Sequence, residues 1–120
     1  MFTLIVDHSE KFRETIKSYL NEICIEQIDE AETGISAINR IKRLPKVNKY
    51  DAIIIDVDMP RKDGLHILRD LTILSPNSKF IVCSSNSDIR TVVIARGFGV
   101  NEYIVKPFTR ERFLRTFLSV

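Results

Sequence analysis

Asp51-Ala52-Ile53-Ile54-Ile55-Asp56-Val57-Asp58-Met59-Pro60-Arg61-Lys62-Asp63-Gly64 is the stretch whose reading decides the fold. Ala52 to Ile55 is an unbroken apolar run. It is short, rich in β-branched residues and lacks polar alternation, so it reads as a strand buried on both faces. The run stops at Asp56. Pro60 and Gly64 mark a turn, and a helical pattern starts at Leu65. A carboxylate at the carboxyl end of a central parallel strand stands where open α/β sheets place their ligand chemistry.

The same pattern recurs on both sides. Phe2 to Val6 reads as a strand ending in Asp7. Ser9 then caps a helix carrying Phe12, Ile16, Leu20 and Ile23. Ile25 to Ala31 reads as an edge strand, and Thr33-Gly34 opens a helix with Ile35, Ile38 and Ile41. Lys42 to Lys49 is the longest loop, broken by Pro45 and Asn48. Leu65, Leu68, Leu71 and Leu74 form a helix that stops before Pro76. Lys79 to Cys83 is a strand leading into Ser84. Ser87 is expected to cap a helix with Ile89, Val92 and Val93, and Gly97 to end it. Glu102 to Val105 is a short strand ending in Lys106-Pro107. Thr109 caps a last helix with Phe113, Leu114, Phe117 and Leu118. Five strands alternating with five helices imply an α/β, doubly wound parallel sheet in the flavodoxin-like order 2-1-3-4-5.

Composition bounds the function. The chain has 120 residues, 18 Lys plus Arg against 16 Asp plus Glu, and a net charge of +2. Residues 1–120 read as one domain. So small a charge gives no ground for nucleic-acid binding. No apolar run is long enough to span a membrane. The two cysteines, Cys24 and Cys83, lie far apart in apolar surroundings. They read as buried free thiols in a reducing, cytoplasmic compartment.

The topology brings Asp7, Asp56, Ser84 and Lys106 to one rim of the sheet. Strands one and three flank the switch point, so Asp7 and Asp56 should face each other. Two close carboxylates raise each other's pKa unless a cation intervenes. A hard divalent ion such as Mg²⁺ suits such a pair. With Lys106 and the Ser84 hydroxyl added, the crevice suits a phosphoryl group and its metal.

At this point the chain resembles the receiver domain of bacterial two-component response regulators, including chemotaxis regulators. The matching residues are Ile5-Val6-Asp7, Ile54-Ile55-Asp56-Val57-Asp58-Met59-Pro60 with Asp63-Gly64, Val82-Cys83-Ser84, and Tyr103-Ile104-Val105-Lys106-Pro107-Phe108. The resemblance implies that Asp56 is a phosphoacceptor, served by a histidine kinase, a phosphotransfer protein or a small phosphodonor. It implies that Asp7, Asp56 and the main-chain carbonyl of Asp58 hold Mg²⁺ and that Lys106 pairs with the phosphoryl oxygens. Ser84 would move its hydroxyl onto the phosphate. Tyr103 would follow inward and switch a partner-binding or dimerising face formed by helix four, strand five and helix five. The Lys106-Pro107 bond is expected to be cis. No enzyme is implied beyond self-catalysed phosphotransfer and dephosphorylation. A metal-dependent phosphohydrolase on the same fold would lack residues to build a substrate pocket.

His8 departs from the family pattern, which has a second acid there as a direct metal ligand. Imidazole is a poor ligand for Mg²⁺. Mg²⁺ could bind more weakly, with the side chain of Asp58 or Glu10 restoring charge. Alternatively, His8 favours Mn²⁺ or Zn²⁺, or the domain is a phosphorylation-independent pseudo-receiver that docks a partner constitutively. A protonated His8 would make phosphorylation pH-dependent. The retention of Asp56, Ser84 and Lys106 favours a phosphorylatable domain. Arg90, Arg96, Arg110, Arg112 and Arg115 make the last two helices basic, a solvated face or a site for an acidic partner. His66 reads as an exposed helix residue. The chain closes at Val120 after the last helix pattern, as expected of a receiver acting alone or of one cut from a longer regulator.

Overall fold

A computed structural model describes residues 1–45, 49–58 and 64–120. The strands are β1 (Phe2–Val6), β2 (Gln27–Ala31), β3 (Ala52–Ile55), β4 (Lys79–Ser84) and β5 (Glu102–Val105). They alternate with α1 (Glu10–Glu22), α2 (Gly34–Arg43), α3 (Gly64–Leu74), α4 (Ile89–Gly97) and α5 (Arg110–Leu118). The five strands form one sheet in the order β2-β1-β3-β4-β5, parallel at every pairing. Val6 is level with Ala31 and Ile55, Ile55 with Val82, and Ser84 with Val105. The carboxyl ends therefore lie along one rim.

The sheet is buried on both faces, which explains the lack of polar alternation. Leu4, Val6, Ile53, Ile55, Phe80 and Val82 pack with Ala37, Ile41, Ile67, Leu68 and Leu71 of α2 and α3 and with Ala95 of α4. Ile5, Ile54, Ile81, Cys83 and Ile104 meet Ile16 and Leu20 of α1 and Phe113 and Phe117 of α5. Each Val, Leu, Ile or Phe among them contributes ~1.5–3 kcal/mol relative to exposure.

Three expected caps are present: Ser9, Thr33 and Thr109 each accept from the amide three residues on. The fourth differs. Asp88 caps α4, accepting from the Arg90 amide at 3.1 Å, and Ser87 does not. An ionised carboxylate suits the positive end of a helix. Gly97 is the last residue of α4, whereas the left-handed turn falls on Gly99, with φ of 94°. Ile35, Ile89, Val93 and Leu118, each part of a helix's apolar pattern, are exposed. The register of α4 on the sheet is set by Ala95 and the half-buried Val92, which turns Ile89 and Val93 outward. β2 starts at Gln27 rather than Ile25, because Cys24 and Ile25 close the turn after α1 with bonds to Asn21 and Leu20. Cys24 is exposed, against expectation, with a left-handed φ of 64° in that turn, while Cys83 is fully buried. The expected breaker Asn48 and the motif residues Met59, Pro60 and Asp63 lie outside the described residues. Among the described residues, no helix is long and apolar enough to cross a membrane.

Candidate functional site

β1 and β3 are central neighbours, and each carries its ladder one residue past its end. The Asp7 amide donates to Ala31 O at 3.1 Å and the Asp56 amide to Val6 O at 3.0 Å. These bonds fix the two carboxylates side by side, at 0% and 3% exposure. Lys106 reaches them from the end of β5. Its Nζ lies 2.9 Å from Asp7 Oδ2 and 3.2 Å from Asp56 Oδ2. The ring of Phe12 sits against the same ammonium, 3.9 Å from centroid to Nζ. Lys106 follows a backbone bond from its amide to Ser84 O and precedes a cis bond to Pro107, as expected.

The remaining carboxylate oxygens accept from the main chain. The Ser9 amide donates to Asp7 Oδ1 at 2.8 Å and the Asp58 amide to Asp56 Oδ1 at 2.7 Å. Burial, opposed by the Asp58 amide and Lys106 and aided by Asp7, raises the pKa of Asp56. Burial works to lower that of Lys106, but its bonds and attraction to Asp7 and Asp56 outweigh it and raise the value. The site thus holds two anions around one fixed cation, a pre-arranged electrostatic cradle.

His8 stands at the mouth of this crevice, its side chain 55% exposed. Its Nδ1 lies 3.8 Å from Asp7 Oδ1 and 4.0 Å from Asp56 Oδ2. Asp7, His8 and Asp56 bring ligand atoms within 4.8 Å of one another. Two carboxylates and an imidazole at that spacing fit a divalent cation.

Neither acid expected to restore charge beside His8 does so. Glu10 lines a separate cleft with Arg13, Glu14, Lys17, Glu30 and Glu32. The Asp58 carboxylate turns toward β4 and accepts from Ser84 Oγ at 2.7 Å and from Ser85 N and Oγ, both at 2.6 Å. Ser84 in turn accepts from the Asn86 amide at 3.0 Å, and the Tyr103 hydroxyl donates to Asn86 O at 2.7 Å. Tyr103 is turned inward, at 8% exposure.

Three contributors escaped the sequence reading. Ser85 completes the cradle of Asp58. Phe12 was legible only as a residue of the first helix's apolar face. Arg13, nearly buried, donates to Asp7 O at 2.7 Å and to Glu30 Oε1 at 3.0 Å. Its one sequence signal is a cation one turn into a helix that starts beside the first acid.

The family model of the response regulator receiver domain matches residues 3–117. The chain is 34% identical over 111 residues to the chemotaxis protein CheY of Listeria monocytogenes, covering 92% of this chain and 90% of that one. It is 31% identical to CheY of Thermotoga maritima, covering 98% and 94%. Among solved structures, the CheX–CheY–BeF₃–Mg²⁺ complex from Borrelia burgdorferi is similar at a TM-score of 0.89 and 25% identity, covering 99% of this chain and 87% of that one. The chain belongs to the response regulator receiver domain family. It is a CheY-like signalling module of two-component transduction.

Proposed function

We propose that Asp56 is the phosphoacceptor of this receiver domain and that residues 1–120 act as one such domain. A carboxylate oxygen of Asp56 attacks phosphorus in a phosphohistidine of a histidine kinase or phosphotransfer protein, or in a small phosphodonor. The bond from phosphorus to the donor nitrogen breaks, its electron pair stays on nitrogen, and that nitrogen takes a proton. The product is an acyl phosphate on Asp56. Lys106 offsets the charge that accumulates on the phosphoryl oxygens, and Ser84 supplies a hydroxyl donor.

Asp7, Asp56 and the main-chain carbonyl of Asp58 would hold a divalent cation, with His8 at its edge. We take the ion to be Mg²⁺, with Mn²⁺ as the alternative that an imidazole admits. Bound there, it would neutralise charge between the acceptor and the phosphoryl group.

The output is a change on the face of α4, β5 and α5, read by a protein partner or a second copy. Exposed Ile89, Val93 and Val105 support that reading, because apolar side chains in water favour a docking role. The domain itself contacts neither nucleic acid nor membrane, works in the cytoplasm, and turns over only its own phosphate.

The observation that carries the proposal is Lys106 Nζ bridging Asp7 and Asp56 at 2.9 and 3.2 Å. A docking module indifferent to phosphorylation is the weaker reading, since it has no use for a cation held between two buried acids. Intact mass after incubation with phosphoramidate tests the proposal. One phosphoryl adduct is expected with Mg²⁺ or Mn²⁺, none with chelator and none in Asp56→Asn. An adduct that persists in Asp56→Asn, or none with either metal, overturns it.

A further inference from the structure

Ser84 has one hydroxyl proton to donate. Here it is committed to Asp58 Oδ1, 2.7 Å away. The same carboxylate takes both donors of Ser85 on its other oxygen, at 2.6 Å each. The grip extends outward: the Asn86 amide bonds Ser84 Oγ, the Tyr103 hydroxyl bonds Asn86 O, and Asn86 Oδ1 accepts from the amide of Asp88, the cap of α4. Asp58 is also tied to the acceptor through its own amide on Asp56 Oδ1. One carboxylate therefore joins the acceptor loop to the start of α4 and to β5.

We propose that the Asp58 carboxylate is the latch of the switch, a positioning residue that withholds the Ser84 hydroxyl from Asp56 until a phosphoryl group outcompetes it. This rests on the acceptor role proposed for Asp56. The competition is between two anions for one donor. A carboxylate carries one negative charge, whereas a phosphoryl group carries nearly two at pH 7. The hydroxyl exchanges acceptors without losing its proton. Ser85 keeps both its bonds to Asp58 Oδ2, so the carboxylate remains hydrogen-bonded after release. Asn86 rests on Ser84 Oγ and Tyr103 on Asn86 O, so a shift of Ser84 is passed to the surface along these bonds.

A double-mutant cycle on the full chain tests the latch, with beryllofluoride plus Mg²⁺ as the phosphoryl mimic and its affinity read by NMR titration. In Asp58→Asn a neutral amide holds Ser84 more weakly, and beryllofluoride is expected to bind about tenfold more tightly. In a Ser84→Ala background, with no hydroxyl to release, the same substitution is expected to change affinity by about twofold or less. Equal gains in both backgrounds would mean that Asp58 acts by charge alone, and would overturn the latch. Hydrogen exchange of the Asn86 amide, which rests on Ser84 Oγ, is a second readout without mimic. Faster exchange in Asp58→Asn supports the latch, and unchanged exchange overturns it. Wild-type protein that binds no beryllofluoride but shows faster exchange in the variant would instead sink the acceptor role of Asp56.

Discussion

Phe12 and Lys106 come from opposite ends of the chain, yet the lysine ammonium lies 3.9 Å from the centre of the phenylalanine ring. The contact does more than fill space. The ring face attracts the cation that also bonds Asp7 and Asp56, and so helps to hold it at the rim. Phe12→Leu keeps apolar volume and removes that attraction. The expected outcome is phosphorylation of Asp56 slowed by about threefold, corresponding to ~0.5–1 kcal/mol. Single-turnover labelling with phosphoramidate checks it, and a rate equal to wild type would assign Phe12 to packing alone.

Gly64 and Gly97 should respond in opposite ways to the same substitution. A Cβ on Gly64 would lie 1.9 Å from the carbonyl oxygen of Val57, the residue after Asp56. Backbone cannot swing aside as a side chain can, so Gly64→Ala should cost at least ~1–3 kcal/mol and impair phosphorylation with it. A Cβ on Gly97 meets nothing within 4 Å, and its φ is not left-handed. Gly97→Ala should therefore stabilise α4 by ~0.5–1 kcal/mol. Urea unfolding of both variants gives the signs directly.

The raised pKa of Asp56 has a consequence for stability. Burial disfavours its ionised form in the folded state, against an ordinary value of 3.8. For an acid shifted upward, the native state binds more protons than the unfolded one within the shifted interval. Stability then falls as pH rises through that interval, and the penalty is complete at neutral pH. In chelator, Asp56→Asn should raise the urea midpoint at pH 7 relative to wild type. That gain should vanish as pH falls below the ordinary aspartate value. A midpoint difference that does not vary with pH would assign the effect to packing.

Much of this was readable before any coordinates. Ile53 to Ile55 announced a strand buried on both faces, and the alternation of elements made 2-1-3-4-5 the natural order for five parallel strands, which the sheet has. Topology alone sent Asp7, Asp56, Ser84 and Lys106 to one rim, because strand ends need no side-chain detail. What stayed hidden depends on direction rather than position. Asp58 and Ser85 are loop residues, and only the tertiary hydrogen bonds decide that the carboxylate faces β4 instead of His8. In α4, apolar residues occupy more than one side, so spacing could not tell that Ala95 meets the core while Ile89 and Val93 face water. Cys24 looked buried by its neighbours' hydrophobicity, but it sits where the chain reverses.

Glu30 should set part of the acid limit of the fold. It accepts from Lys17 Nζ at 2.8 Å and from Arg13 Nε at 3.0 Å, and Arg13 reaches on to the carbonyl of Asp7. The bond from Lys17, opposed by burial and aided by Arg13, holds Glu30 below its ordinary value of 4.5, and the pKa of Lys17 is raised in turn. For an acid shifted downward, the stabilisation is complete above the ordinary value and is lost as pH falls through the folded one. The pair is partly exposed, so solvent limits its worth to less than ~1 kcal/mol. Glu30→Gln should lower the urea midpoint at neutral pH by that small amount. Gln still accepts from Arg13, so the site itself should stay intact. Between roughly pH 6 and pH 3 the wild-type midpoint should fall more steeply than the variant's until the two meet. Parallel curves over that range would show that the Glu30 charge is not linked to folding.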